Sequence, residues 1–534
     1  MIGAERYPCE ALPASAPETV PPSTLARGTW ILAATVLGSS MSFIDGTVVN
    51  VALPNLQASL HATFLQVQWV VESYALFLAA LLLVGGALGD LYGRRRIYSL
   101  GVILFAVASA WCGLASGIGQ LIVARAVQGV GGALLVPGSL AILSASFPEK
   151  QRGQAIGTWS AFTGITSAIG PVLGGWIVQH LSWRWVFFIN LPIAAVVLVI
   201  SYWRVPESRD ENRVQRLDLL GALLITFGLG ALVFGLIESS NYGWRHPLVW
   251  GSVAAALLAI VAFLSVEASS KYPLMPLKLF QSRAFSGANL LTLFLYTALG
   301  TVLFFLPFNL IQLQGYTPTE AGAANLPFVL VMFFFSRWAG GLVARYGARR
   351  PLVAGTTLAT LGFALFARPG LGGSYWTTFF PAMAVLGLGM SCVVAPLTTT
   401  VMNSVDQSEA GTASGINNSV SRIASLLSVA VGGAILLQLF GDNLQKNLAE
   451  TRVPVVERQE IYQQRNHLSQ IEIPRTLDAG QKEQVRRDIA KSALAAFRSV
   501  ALLAAVLAAL SALVAWLTFN GRPKLAIGNG QPAA

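Results

Sequence analysis

Charged residues are scarce. Asp, Glu, Lys and Arg make up 11% of the 534 residues, hydrophobic residues make up 54%, and mean hydropathy is +0.62. A water-soluble fold cannot hide that much apolar side-chain area, so a soluble globular domain is excluded. Cysteine is nearly absent. Cys9, Cys112 and Cys392 lie far apart, and without a CxxC or Cys/His cluster neither a disulfide framework nor a zinc site is expected. Histidine is equally sparse, and His61, His180, His246 and His467 all fall outside the apolar runs, which argues against a histidine proton relay. No Walker sequence exists, since "GVGGALL" lacks the P-loop lysine, and no nucleophile constellation is present. An enzyme and a primary pump are therefore disfavoured, and no cofactor or metal is expected.

What the chain does contain is apolar runs of about 20 residues, continuous rather than alternating, which is the signature of membrane helices and not of a barrel. The expected class is an all-α polytopic membrane protein. Fourteen spans are read near 30–53, 68–89, 97–117, 120–143, 154–179, 185–204, 217–238, 247–268, 285–312, 322–344, 351–368, 376–401, 411–440 and 494–518. The net charge of +11 sits in particular loops, so it points to membrane topology and not to nucleic acid. Arg94–Arg96, Lys150, Arg152, Arg204, Arg209, Arg213, Arg216, Lys271, Lys278, Arg283, Arg345, Arg349 and Arg350 occupy one set of alternate loops. The opposite short loops hold little beyond Arg184, Arg245 and Arg368. By the positive-inside rule the basic set is cytoplasmic, and an even number of spans puts both termini inside the cell.

The expected organisation follows. Residues 1–28, rich in Pro, Ala and Ser, form a disordered cytoplasmic tail; 29–205 form a six-helix bundle; 206–283 are a linker with two extra spans. A second six-helix bundle occupies 284–518, with 441–493 as a solvated extracytoplasmic loop, and 519–534 form a cytoplasmic tail. Within the loop, "QKEQVRRDIAKSALAAF" extends the last helix outward. An internal repeat supports the two bundles. "GALGDLYGRRR" (Gly86–Arg96) recurs as "GGLVARYGARR" (Gly340–Arg350), and "GQAIG" (Gly153–Gly157) as "GTASG" (Gly411–Gly415). Each of the latter is followed by a glycine pair, Gly174-Gly175 and Gly432-Gly433. Duplicated halves with a pathway between them are a transporter architecture.

Five motifs in order carry a family resemblance. "GALGDLYGRRR" matches a loop signature through Gly86, Asp90, Gly93, Arg94 and Arg95, with Leu91 where a basic residue is usual. "RAVQGVGGALLVP" carries Arg125, Gln128, Gly129 and Gly132. "GITSAIGPVLGG" carries Gly170, Pro171, Gly174 and Gly175, with Thr166 in place of an upstream glycine. "FIDGTVVNVALP" carries Asp45, Thr47, Asn50 and Pro54, and the connectors "WRWVFFINLP" and "PLKLFQSRAF" fit the same pattern. From Trp30 to Leu517 the chain resembles the major facilitator superfamily, in its fourteen-helix drug:proton antiporter branch. The resemblance implies two six-helix halves, a two-helix central insert, and proton-driven export of hydrophobic or amphipathic, chiefly cationic, compounds across the cytoplasmic membrane.

The residues support this independently. Asp90 can pair with neighbouring basic residues or a helix terminus, as a latch formed in one conformational state and broken in another. The Gly-Pro pair at Gly170-Pro171 permits a bend, and glycines four apart give a close-packing face. Asp45, Glu72 and Arg125 are the first half's charges inside spans, all placed towards the same end of the bundle. Asp at a span centre costs roughly 2.5–3.5 kcal/mol on insertion scales. The set reads either as a proton site or as an ion pair that locks helices. Arg337 and Arg422 in the second half read as an inner gate or as snorkelling side chains. Phe43, Tyr74, Gln128, Tyr296 and Asn309 are candidates for a substrate cavity. The expected partners are a small-molecule substrate, protons and the bilayer, with a periplasmic adaptor as a candidate at the outer loop. The rival reading is a facilitator or importer of a polar metabolite.

Overall fold

The computed structural model describes residues 22–209, 218–270, 273, 275–406, 409–451 and 453–519, and every regular element among them is a helix. The first half comprises α1 (Pro22–Ser59), α2 (Phe64–Tyr92), α3 (Arg94–Leu114), α4 (Ile118–Ser146), α5 (Glu149–His180) and α6 (Asn190–Arg204). Helices α7 (Leu219–Tyr242) and α8 (Pro247–Ser269) follow. The second half comprises α9 (Arg283–Phe308), α10 (Leu326–Gly340), α11 (Arg349–Leu365), α12 (Phe380–Asn403), α13 (Ala410–Ala449) and α14 (Ala479–Thr518). Short helical pieces precede α6 (Trp185–Phe188) and α10 (Pro318–Ala323).

Thirteen helical stretches among the described residues are long and apolar enough to cross a membrane. The fourteenth expected span, 351–368, corresponds to α11, which has 17 residues and tightens into i→i+3 hydrogen bonds at Phe366, Ala367 and Arg368. The first helix begins at Pro22, inside the stretch expected as a tail; residues 1–21 and 520–534 of the two expected tails, and 210–217 of the expected linker, lie outside the described residues. The outer segment also departs from a plain loop. Helix α13 runs on to Ala449 and α14 starts at Ala479, so the expected loop 441–493 is largely helix. Asp478 fixes the start of α14, its side chain accepting a hydrogen bond from the Gln481 amide at 2.7 Å in a capping box. Between the two helices, Val455–Gln463 and the turn Arg465–Gln470 make a small cap. The cap marks one face of the bundle; the described chain begins and ends on the other.

Helices α1 to α6 pack on one another, as do α9 to α14, and a seam separates the two sets. The insert is placed asymmetrically. Helix α7 lies against both α2 and α13, so it straddles the seam, while α8 packs on α7. Within the first half, close approach is set by small residues, as membrane packing requires. The tightest approach to backbone there is at Gly85, where a Cβ would lie 2.0 Å from the Ala133 carbonyl oxygen on α4. Gly86, the residue singled out by the motif, is not that point: a Cβ there would meet only Pro137 Cβ, at 3.6 Å.

Gly85→Ala is therefore expected to lower the thermal unfolding midpoint of the purified protein, by overpacking worth about 1–3 kcal/mol. Gly86→Ala should be neutral or stabilising, because it gains helix propensity without a clash.

Candidate functional site

Asp45 is not isolated in its helix. Its side chain is 1% exposed and accepts a hydrogen bond from Arg125 Nη1 at 2.5 Å on one oxygen. The other oxygen accepts from Gln128 Nε2 at 2.9 Å and Asn190 Nδ2 at 3.4 Å. Arg125 is satisfied in turn: Nη1 also donates to Gln128 Oε1 at 2.7 Å, Nε to the Val70 carbonyl at 3.1 Å, and the guanidinium stacks 4.2 Å from the Tyr74 ring centroid. Ser109 closes the network by accepting from Gln128 and Asn190. Helices α1, α2, α3, α4 and α6 are thereby tied by one buried, hydrogen-bonded ion pair. Asn190, from the "WRWVFFINLP" connector, belongs to this set and was not singled out by sequence.

Glu72 stands apart from that pair, contrary to the expected grouping of two carboxylates around one arginine. It is 1% exposed, and neither carboxyl oxygen has a hydrogen-bond partner among the described residues. The hydrogen bonds of Arg125 run from Nη1 and Nε to Asp45, Gln128 and Val70, and none reaches Glu72. Glu72 instead lines a cavity of about 270 Å³ between the halves. That cavity is walled mainly by apolar residues, with Tyr74, Arg125 and Asn50 from the first half and Tyr296 and Arg422 from the second. Of the aromatic candidates, Tyr74 and Tyr296 line it; Tyr74 is held by Ser42 Oγ at 2.7 Å. Phe43 sits beside it, its ring 5.9 Å from the Arg422 guanidinium. Gln128 and Asn309 do not line it. Gln128 is consumed by the Asp45 network, and Asn309 faces a separate small cavity under the cap, where its amide atoms lack partners among the described residues. Arg422 is a cavity residue rather than a snorkelling one, and the side chain of Arg337 lies outside the described residues.

The glycine- and arginine-rich loop between α2 and α3 is bound to itself and to the segment that follows α6. Asp90 pairs with Arg94, Nη2 to Oδ1 at 2.8 Å. The Arg94 amide donates to the Ser208 carbonyl at 2.9 Å, and the Arg95 amide to Glu207 Oε1 at 3.0 Å. Gly93 turns the chain at φ +107°, where a Cβ would lie 2.7 Å from Glu207 Oε1, so glycine is required both by conformation and by space. Glu207 also faces Arg95 and Arg96 at 3.7 Å each. It is the anchor that the motif alone did not disclose.

Residues 35–224 and 215–429 match the profile of the Major Facilitator Superfamily. The chain belongs to that family. It is 38% identical over 426 residues to the multidrug resistance protein Stp of Mycobacterium tuberculosis (strain CDC 1551 / Oshkosh), covering 79% of this chain and 78% of that one. It is 35% identical over 443 residues to the tetracenomycin C resistance and export protein of Streptomyces glaucescens, covering 82% and 81%. Among solved structures, a bacterial homolog of the human lysosomal transporter Spinster shares the fold, with TM-score 0.64 at 18% identity, covering 92% of this chain and 97% of that one. The protein is thus a multi-pass, membrane-embedded transporter of the major facilitator superfamily.

In this superfamily member the halves meet on the cap face. Gly175 on α5 faces the Pro318 carbonyl, where a Cβ would lie 2.2 Å away, and Gly322 faces the Pro171 carbonyl at 2.1 Å. Gly170 and Gly174 serve their own half instead, against Thr47 and Val48 of α1. Across the other side of the seam, Gln68 Nε2 donates to the Val429 carbonyl at 2.8 Å and fills the space beside Gly433. Phe64 of α2 seals the centre against Phe304, Phe305 and Phe308 of α9, with ring centroids 6.3, 5.9 and 5.2 Å away. The cap braces this closure: Gln57 Nε2 donates to the His467 carbonyl at 3.4 Å, and Gln470 Nε2 to the Pro54 carbonyl at 3.3 Å. Towards the opposite face the helices part, and a Cβ at Gly157, Gly164 or Gly415 would meet nothing within 4 Å.

Gly322→Ala or Gly175→Ala is expected to hold the cap face apart. Spin-label distances measured across the seam on that face should broaden to longer values, while Gly164→Ala leaves them unchanged.

Proposed function

We propose that the protein is a proton-coupled antiporter that exports hydrophobic and amphipathic drugs or toxic compounds by alternating access. It lies in the cell membrane with both termini in the cytoplasm, following the basic loops, and it has no catalytic activity. The observation that carries the reading is Glu72: a buried carboxyl with no hydrogen-bond partner among the described residues, facing the cavity between halves that touch on one face. A buried ionised group without a partner is far more costly than a paired one, so such an acid is suited to gaining and losing a proton as its surroundings change. Asp45 and Arg125 belong to the coupling group as the fixed element, holding the first half together around the acid. The relatives that carry resistance and export in their names support the drug reading. The mostly apolar cavity wall, which includes Val71, Leu78, Leu299 and Leu303, disfavours a polar-metabolite facilitator. The outer cap is a surface on which a periplasmic adaptor could dock, although it already serves the chain itself as a brace.

In everted membrane vesicles, an imposed proton gradient should drive drug accumulation. Glu72→Gln is expected to abolish that accumulation while substrate counterflow without a gradient persists; full gradient-driven accumulation in the variant would refute the assignment. Asp45→Asn should act differently. It leaves Arg125 buried without its anion, so folded yield and thermal stability should drop by the equivalent of about 3–5 kcal/mol. For the latch, Asp90→Asn should slow turnover with little change in the dissociation constant of the drug, measured by fluorescence titration.

A further inference from the structure

The cavity has two unsatisfied charged side chains, and they come from opposite halves. On the first-half wall is Glu72, without partners among the described residues. On the second-half wall is Arg422, half-buried on α13, with neither an ion pair nor a hydrogen bond among the described residues; its specific neighbours are the face of Phe43 and, electrostatically, Tyr74. Asn50 and Tyr296 make no hydrogen bond among the described residues, but neither is charged; the remaining polar groups there are committed. Arg125 is neutralised by Asp45 at 2.5 Å, Tyr74 is held by Ser42, and Ser425 and Ser428 bond back to their own helix. A snorkelling arginine would reach the membrane surface, yet this one points into the space between the halves.

From this juxtaposition we propose that Arg422 is a substrate-binding residue for an acidic group, so that the compounds taken up by the cavity include amphipathic aromatic acids, as carboxylates or ionised phenols. The inference rests on the export reading and narrows it: the expectation of cationic substrates came from the family resemblance, beside an apolar cavity with sparse carboxylates. A guanidinium presents a planar fork of donors that matches a carboxylate in two parallel hydrogen bonds. Its place across from an apolar wall fits a flat body with the acid at one end. Leu299, Leu303 and Phe304 of α9 line the same cavity, giving the body an apolar surface. An amine elsewhere on the same molecule would meet Glu72, so zwitterions fall within the class.

The test uses the full-length protein in lipid nanodiscs and a matched pair of probes, a fluorescent naphthalene carboxylate and its methyl ester. The wild type is expected to bind the acid about 10-fold tighter than the ester, the scale of one charge-assisted hydrogen-bonded contact. Arg422→Gln should bring the acid down to the affinity of the ester and leave the ester unchanged, and Arg422→Lys should retain part of the preference. An acid that binds the wild type no tighter than its ester would overturn the proposal, as would a variant that weakens both probes equally. The binding measurement does not depend on transport. If no probe, including a planar cation, accumulates in energised vesicles, the export reading fails on its own while the preference for acid over ester still decides the role of Arg422.

Discussion

Backbone against backbone at a few glycines is the constraint on which the rest of the structure depends. Two helical halves in a membrane gain little from hydrophobic burial against each other, because lipid is as apolar as their side chains. What holds them is close packing, and Gly175 and Gly322 allow it by letting carbonyl groups of the other half come within the distance of a missing methyl. The internal repeat becomes meaningful here. In each pair the first glycine packs inside its own half, Gly174 on Val48 and Gly432 on Phe305 and Thr301. The second faces across the seam, Gly175 to Pro318 and Gly433 to Gln68. The duplication therefore supplies both sides of the closure with the same device, and the aromatic cluster around Phe64 fills the centre between them.

The buried ion pair complements this seam by being indifferent to it. Asp45, Arg125, Gln128, Asn190 and Ser109 all belong to the first half, and their hydrogen bonds close on one another. A rigid-body movement of one half against the other leaves each of these contacts in place. A desolvated pair earns stability only when its geometry and remaining hydrogen bonds are good, and here the amides of Gln128 and Asn190 provide the remainder. The pair thus stiffens the half that has to move as a unit.

Much of this was legible in the residues. Span positions, the duplication and the basic loops follow from hydropathy and charge, and the one marginal span, α11, is marginal because it is short and ends in a tight turn. The link between Asp45 and Arg125 was foreseeable from helix direction and depth. The separation of Glu72 was not, because it depends on which carbonyl and carboxyl oxygens the arginine reaches, a matter of ångströms that spacing does not encode. Glu207 and Gln68 were missed for a similar reason: each acts across a long sequence separation and carries no local pattern. Gln128 and Asn309 show the converse error, since polar residues in spans were read as cavity-facing when one is engaged inside its half and the other lies beneath the cap.

The distribution of charge between the halves follows from these placements. A group that senses the position of one half against the other has to lie at the seam, with surroundings contributed by both. Arg125 reaches the cavity wall, but the ion pair and hydrogen bonds that it and Asp45 make are all internal to the first half. Asp90 meets that condition only indirectly, through a loop bound to residues 205–208, at the junction of the first half and the linker. Glu72 and Arg422 do meet it, one from each wall of the same cavity. Moving the halves changes the solvent and the charge that each of them faces, whereas every other buried ion in the first half keeps its shell. The proposed coupling between proton, substrate and conformation rests on these two residues, which have no ion pair or hydrogen bond among the described residues.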